Sequence, residues 1–385
     1  MQNSPLVTLH ICTSESWGGL EIYSCTLMKE LSQRRCEVIA LCRKDSHIDA
    51  FLGQHNIERV YSEARSYFSL NEIFLIKKLI KQRQIDVVHV HFHRDIWPAS
   101  IALRGNRNVR LFLSIYMGVG KKRDVLHRFI YKRVNRIFSS SEELNAILPQ
   151  LYPVPKEKIC FLPYGRKVDE YRVNLRARQQ IRQRYGIASD DIIVGVMSRI
   201  DPGKGILEFV QSFLELDERW RSRVKFLVVG SPTLKSRTEG DVSSYEPQSE
   251  RYYRSVQSFV QENHLEQNII FTGFQSDLIG FLSAMDIFVF PSHDEMYSLT
   301  VLDAMCIGLP VIGVNAGGTR RQIQDGVNGL LTRLGDSRDI ARAITFYLEH
   351  PEKRAEHGKE GRAFVLSHHS MDRAIKMLLN YYGAE

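Results

Sequence analysis

The chain predicts an α/β protein made of two doubly wound parallel sheets, and three observations predict it. Its 385 residues exceed what one hydrophobic core usually holds, so two domains are expected. Short β-branched runs alternate with amphipathic stretches of about 10–15 residues, the pattern of strands joined by crossover helices. The segment 288–318, FVFPSHDEMYSLTVLDAMCIGLPVIGVNAGG, runs in the order strand, loop, helix, turn, strand and Gly-rich loop. Open sheets of this kind bind ligands beyond the carboxyl ends of their strands.

In the first series the apolar runs predict strands at 5–11, 37–42, 86–91, 109–115, 136–140 and 158–162. Apolar residues at helical spacing predict helices at 20–33, 70–82, 94–104, 123–134 and 142–149. Gly165 to about Arg178 is polar and Arg-rich and separates this series from the next. The second series predicts strands at 192–198, 224–229, 268–272, 286–290 and 310–314. Its helices are expected at 203–216, 249–262, 276–283, 298–306, 319–324 and 336–348. The polar stretch 231–249 reads as an excursion beside a ligand site. Residues 1–168 and 169–369 form the two expected domains, facing a cleft that holds the ligand.

Residues 1–170 hold 26 Lys and Arg against 17 Asp and Glu, so the first half carries the whole basic excess of a chain with net charge +8. Such a half points to an anionic partner. The six cysteines form no C-x-x-C pair and lie mostly in apolar segments, which predicts reduced core thiols and a cytoplasmic protein. No apolar run approaches the roughly 20 residues that span a bilayer. The strand-like PLVTLHI follows the first residues without a basic n-region, so no signal peptide is expected.

Gly18 and Gly19 follow a strand and open a helix, where missing side chains let backbone N–H groups approach a phosphate. Ser198 to Gly205, SRIDPGKG, also joins a strand to a helix. Arg199 and Lys204 near a helix N-terminus suit the neutralisation of a diphosphate. Glu295 and Asp303 bracket the start of the next helix. With the helix starting near Tyr297, Asp303 lies roughly 9 Å further along its axis. That separation disfavours a glycosidase pair at about 5 Å and suits two ends of one elongated ligand.

His89, His91 and His93 alternate and are expected on one face. Same-face histidines can bind zinc, but no Cys or carboxylate cluster nearby in sequence completes a site, so no metal is expected and the histidines read either as polar contacts to an acceptor or as core residues. Residues 121–136 hold seven Lys and Arg and one Asp, with apolar Val125, Leu126, Phe129, Ile130, Val134 and Ile137 at helical spacing. The stretch 121–137 reads either as a helix packed on the sheet or as an interfacial helix touching an anionic membrane. Nucleic acid is not an expected partner, because no aromatic-and-basic stacking module is present.

The run 288–318 closely resembles the donor-binding signature of the GT4-type (group 1) retaining glycosyltransferases of GT-B fold, Glu-x7-Glu followed by Gly-x-Pro-Val and Gly-Gly. SRIDPGKG resembles that family's Gly/Ser-Arg-x-x-x-x-Lys-Gly motif, and GGLEIYSCTLMKEL its first helix. The chain departs in Asp303 for the second Glu and in Arg321 for the acid of Gly-Gly-x-x-Glu. The resemblance implies transfer of a sugar from a UDP-, GDP- or ADP-sugar to a saccharide or lipid-linked acceptor, with retention and without a metal cofactor. It places the transferred sugar at Glu295, the leaving diphosphate at Arg199 and Lys204, and the ribose at Asp303. Donor contacts extend to Gly18, Gly19 and the backbone of Met296, Tyr297, Ser298 and Leu299. His91, His93 and Tyr116 fall on the acceptor side, Tyr116 standing where the family often has a histidine. A C-terminal helix, 370–385, is implied to pack back on the first domain. Cell-envelope polysaccharide or lipopolysaccharide synthesis at the inner membrane face is the implied setting. The alternatives are a sugar-nucleotide epimerase, a non-catalytic nucleotide-sugar-binding scaffold, and a phosphate-binding protein indifferent to sugars.

Overall fold

The computed structural model describes residues 5–118, 120–234 and 244–383. Of the polar excursion 231–249, residues 235–243 lie outside the described residues. The chain divides into two compact units, Met1–Gly165 with Asp372–Glu385, and Arg166–Met371.

The first unit is wound around seven strands: β1 (Leu6–Ile11), β2 (Cys36–Cys42), β3 (Glu58–Tyr61), β4 (Val87–Val90), β5 (Arg110–Ile115), β6 (Arg136–Ser139) and β7 (Ile159–Phe161). They pair in parallel in the order β3-β2-β1-β4-β5-β6-β7. Helices cover a parallel sheet on both faces, so its strands bury consecutive residues. Accordingly all four residues of β4 are buried, as are five of the six in β5. The C-terminal helix Met371–Tyr382 belongs to this unit from Asp372 onward. Its Tyr382 hydroxyl meets His89, and its ring lies 5.2 Å from that of Phe112.

The second unit repeats the winding with six strands: β8 (Ile192–Met197), β9 (Val224–Val229), β10 (Ile269–Gly273), β11 (Ile287–Phe290), β12 (Val311–Val314) and β13 (Gly329–Thr332). Their order is β10-β9-β8-β11-β12-β13, again parallel. One core joins Val194, Phe226 and Val289 of the strands to Phe209, Val256, Ile344 and Tyr347 of the helices.

Several elements among the described residues escape the sequence pattern, the short helix Glu218–Arg221 among them. The edge strand β3 reads ERVY with no residue fully buried, and the adjoining helix His47–Gln54 is short. Helix Leu175–Arg184 begins near the end of the Arg-rich stretch expected as a separator and runs past it; β13 has only four residues. Helix Pro351–His368 is largely polar and buries His357, Gly358, Gly361 and Val365; a Cβ on Gly358 would run into the Gly308 carbonyl.

The stretch 121–137 differs from the expected single stripe. Its helix spans only Val125–Tyr131, burying Ile130 and Tyr131, while Val125, Leu126 and Phe129 stay in solvent.

Candidate functional site

In both sheets the winding reverses direction beside the first strand, between β1 and β4 and between β8 and β11. A crevice opens at such a reversal, and ligands of open α/β sheets bind there. In the second unit the loops leaving β8 and β11 are Ser198–Gly205 and 291–298, the two segments that carry Arg199, Lys204 and Glu295.

These loops are strapped together by backbone. His293 N–H donates to the Gly203 carbonyl at 2.8 Å. Gly205 has φ +69°, and a Cβ there would overlap the Pro291 carbonyl, so only glycine admits this approach. The strap places the Lys204 ammonium 2.9 Å from Glu295 Oε2, with side chains 20% and 25% exposed. Arg199 is held differently. It donates to Thr233 Oγ1 at 2.9 Å, lies 3.4 Å from Asp201, and is 61% exposed.

The third wall is the Gly-rich loop after β12. Gly318 N–H donates to the Glu295 carbonyl at 2.8 Å. Gly317 has φ +49°, and a Cβ on Gly318 would collide with the Met296 carbonyl. The double glycine therefore lets this loop lie against the Glu295 loop.

The helix after that loop starts at Leu299, two residues later than expected, with Ser298 as its N-cap accepting from Val301 N–H at 3.3 Å. Gln322, missed in the sequence, grips the same residue twice: Ser298 N–H donates to its Oε1 at 2.9 Å and its Nε2 donates to the Ser298 carbonyl at 2.8 Å. Tyr297 is buried, its hydroxyl 2.6 Å from His369 Nε2.

Asp303 sits inside the helix with a 6% exposed side chain. Its Oδ1 accepts from Arg166 Nε at 2.5 Å and from the Tyr171 hydroxyl at 2.6 Å, leaving Oδ2 a longer contact with Arg166 Nη2 at 3.5 Å. Burial opposes the Arg166 charge, but the Asp303 carboxylate outweighs it and holds the guanidinium above its ordinary pKa. Burial, then Asp303, raises the Tyr171 hydroxyl. Neither partner was read as a site residue. The one signal was Asp303 itself, a methylene shorter than the expected Glu.

At the reversal in the first unit, Asp95 binds the loop after β1 by accepting from Thr13 N–H at 2.8 Å and Thr13 Oγ1 at 2.6 Å. Burial raises the Asp95 carboxyl to about 6. Gly18 caps and Gly19 begins helix Gly19–Ser32. Gly18 N–H donates to Glu21 Oε2 at 2.9 Å, while Glu21 Oε1 accepts from Ser14.

The histidines regroup. His89 and His91 do share a face, but β4 ends at Val90 and His93 begins a short 3₁₀ turn, so it leaves that face for Tyr131 at 3.2 Å. His10 of β1 takes its place, stacked 5.2 Å from His91 with Nδ1 2.9 Å from His91 Nε2. The ligand nitrogens of His10, His89 and His91 all lie within 4.8 Å of one another, close enough to hold a metal ion. Most of those nitrogens are already engaged. His89 meets Ser114 and Tyr382, His91 meets Tyr116 at 2.7 Å, and His10 Nε2 has no hydrogen-bond partner. Burial lowers His10 to about 3 and pushes His89 and His91 well below the ordinary range, so all three are neutral.

The sequence profile described as "Glycosyl transferases group 1" matches residues 177–364, and "Glycosyltransferase Family 4" matches 17–170. The capsular polysaccharide biosynthesis glycosyltransferase CapM of Staphylococcus aureus is 30% identical over 179 residues, covering 46% of this chain and 42% of that protein. The D-inositol 3-phosphate glycosyltransferase of Geodermatophilus obscurus is 26% identical over 296 residues, covering 69% and 60%. The chain thus spans from about two fifths to three fifths of these relatives' lengths.

Among solved structures, Anabaena HepE in complex with UDP and glucose superimposes with TM-score 0.80 at 19% identity over 98% of this chain and 99% of that one. A glycosyltransferase from Rickettsia africae gives 0.84 at 18%, over 98% and 97%. These likenesses show the fold, which is GT-B. With one profile matching residues 17–170 and the other residues 177–364, the chain belongs to the group 1, family 4 glycosyltransferases.

Proposed function

We propose that the protein is a retaining glycosyltransferase that moves a sugar from a nucleoside diphosphate sugar to a hydroxyl of a saccharide or lipid-linked acceptor. The observation that carries this is the Lys204 ammonium held 2.9 Å from the Glu295 carboxylate at the sheet reversal. That pair offers a cation for the departing phosphate and an acceptor for sugar hydroxyls at adjacent points. The bond between the anomeric carbon and the diphosphate oxygen breaks as the acceptor oxygen bonds the same carbon from the same side. The acceptor proton passes to the released diphosphate. Lys204 stabilises the charge that develops on the leaving oxygen, where such help matters most. Arg199 swings from Thr233 to the same diphosphate, the Leu299 end of the helix faces it, and Asp303 Oδ2 accepts from the ribose.

The similarity to CapM, a glycosyltransferase of capsular polysaccharide biosynthesis, favours an envelope polysaccharide product. Six free cysteines, five of them buried, favour a reducing, cytoplasmic setting. We read the reaction as independent of a metal.

One observation favours a second reading, a nucleotide-sugar-binding scaffold: Asp303 is engaged by Arg166 and Tyr171. Thermal shift with UDP-, GDP- and ADP-sugars, followed by product analysis with and without EDTA, separates the two. Binding followed by transfer that survives EDTA supports the transferase. Binding without transfer or donor hydrolysis supports the scaffold, and no binding removes both.

A further inference from the structure

On the first unit, two segments distant in sequence expose large apolar side chains on either side of one largely buried helix. Phe68 precedes helix Leu70–Arg83, whose outward face opens with Leu70 and Phe74; helix Val125–Tyr131 exposes Val125, Leu126 and Phe129. Leu70 is 72% exposed, Phe74 64% and Val125 79%. Helix Ile96–Ala102 packs between these two helices. Its buried Trp97 joins both sides, with its ring 4.9 Å from Phe68 and 5.1 Å from His127.

Cations interleave with this apolar surface. The exposed face of helix Leu70–Arg83 continues beyond Phe74 into Lys77, Lys78 and Lys81. Arg128 and Lys132 stand exposed beside Phe129, and Arg104 lies over the Phe129 ring, 3.2 Å from its centroid. The nearby acids are engaged: Glu72 is buried, and Asp124 caps its helix by accepting from His127 N–H at 3.0 Å.

Soluble monomers rarely expose large apolar patches. The centre of a protein–protein interface is depleted of charge, whereas here Lys and Arg run through the patch. An anionic bilayer meets both halves of that chemistry, an apolar boundary for the side chains and phosphates for the cations. No helix among the described residues is long and apolar enough to cross a membrane, so the contact is interfacial.

We propose that this surface docks the protein on an anionic lipid bilayer, with Phe68, Leu70, Phe74, Val125, Leu126 and Phe129 entering the headgroup boundary. The docking does not depend on the transferase reading. Flotation of the full chain with phosphatidylcholine vesicles, with or without phosphatidylglycerol, tests it. Binding is expected only to the vesicles that contain phosphatidylglycerol, and to weaken as salt rises. The surface variant Leu70→Ser with Leu126→Ser should keep the wild-type melting temperature and bind at least about tenfold more weakly. Equal binding by variant and wild type, or no binding to either vesicle, overturns the proposal. So does a wild-type dimer in sedimentation velocity that the variant abolishes, because a second copy would then cover the patch.

Discussion

Arg166 and Asp303, 137 residues apart, form a near-buried ion pair in which Nε lies 2.5 Å from Oδ1. The pair ties the first residue of the second unit to the middle of the helix that follows the Glu295 loop. Tyr171 completes it through the same oxygen. An acid that the motif alone would leave facing a ligand is thereby also part of the framework.

Removing one member of this pair strands the other charge. We expect Arg166→Met to lower stability by about 3–5 kcal/mol in urea unfolding, and Arg166→Met with Asp303→Leu to recover most of the loss. Equal stability of the single variant and wild type would show that the pair contributes nothing to the fold.

Lys204→Ala should slow transfer by roughly 10²–10³-fold, the scale for loss of one preorganised contact to developing charge. Glu295→Ala should abolish transfer yet leave the affinity for the free nucleotide within about twofold, because the proposed function gives its carboxylate to the sugar. Steady-state rates and nucleotide titration calorimetry measure the two effects. A kinetically silent Lys204→Ala would remove it from the leaving-group role.

Gly318→Ala drives a methyl group into the Met296 carbonyl and pushes the Glu295 loop off its seat. The expected result is about 1–3 kcal/mol of lost stability, with a raised KM for the donor. Gly326→Ala is the control, because its strain, from φ +72°, is set in open space away from that loop.

Acid should destabilise the first unit through its histidines. In the fold His10 titrates near 3 and His89 and His91 also lie well below the ordinary range, whereas the unfolded chain takes up these protons near 6.5. The unfolded state therefore binds more protons below pH 6.5. Stability is full above that value and falls as the pH drops toward 3, by on the order of 1 kcal/mol per pH unit for each histidine. Melting curves from pH 7.5 to 4.5 should show this slope, and His10→Gln should reduce it. A flat profile would mean the rings accept protons within the fold.

Much of this architecture was legible because it is written in local periodicity. The runs that became β1, β8 and β11 are apolar, β-branched and bounded by turn residues, and the Ser198–Gly205 and 291–298 loops carry their chemistry in consecutive positions. What escaped depends on contacts between distant residues. Arg166 looked like one more cation in an Arg-rich stretch, and nothing in its neighbourhood points to Asp303. His10 joined His91 because β1 and β4 are paired, a fact of strand order that the Leu6–Ile11 run does not contain. Helix Pro351–His368 buries His357, Gly358, Gly361 and Val365, so its buried face has no hydrophobic stripe to read. In the 121–137 stretch, periodicity located the apolar residues, but only the length of the folded helix decided which of them reach the core.

If the proposed function holds, the contact between Lys204 and Glu295 also bears on which anions the crevice accepts. Its ammonium already has a counter-ion, so a stray sulfate or inorganic phosphate gains little by displacing the carboxylate. A molecule that presents hydroxyls to Glu295 and a phosphate to Lys204 together replaces both halves of the resting contact at once. On the proposed reading, the same ion pair would favour an activated sugar over a bare inorganic anion.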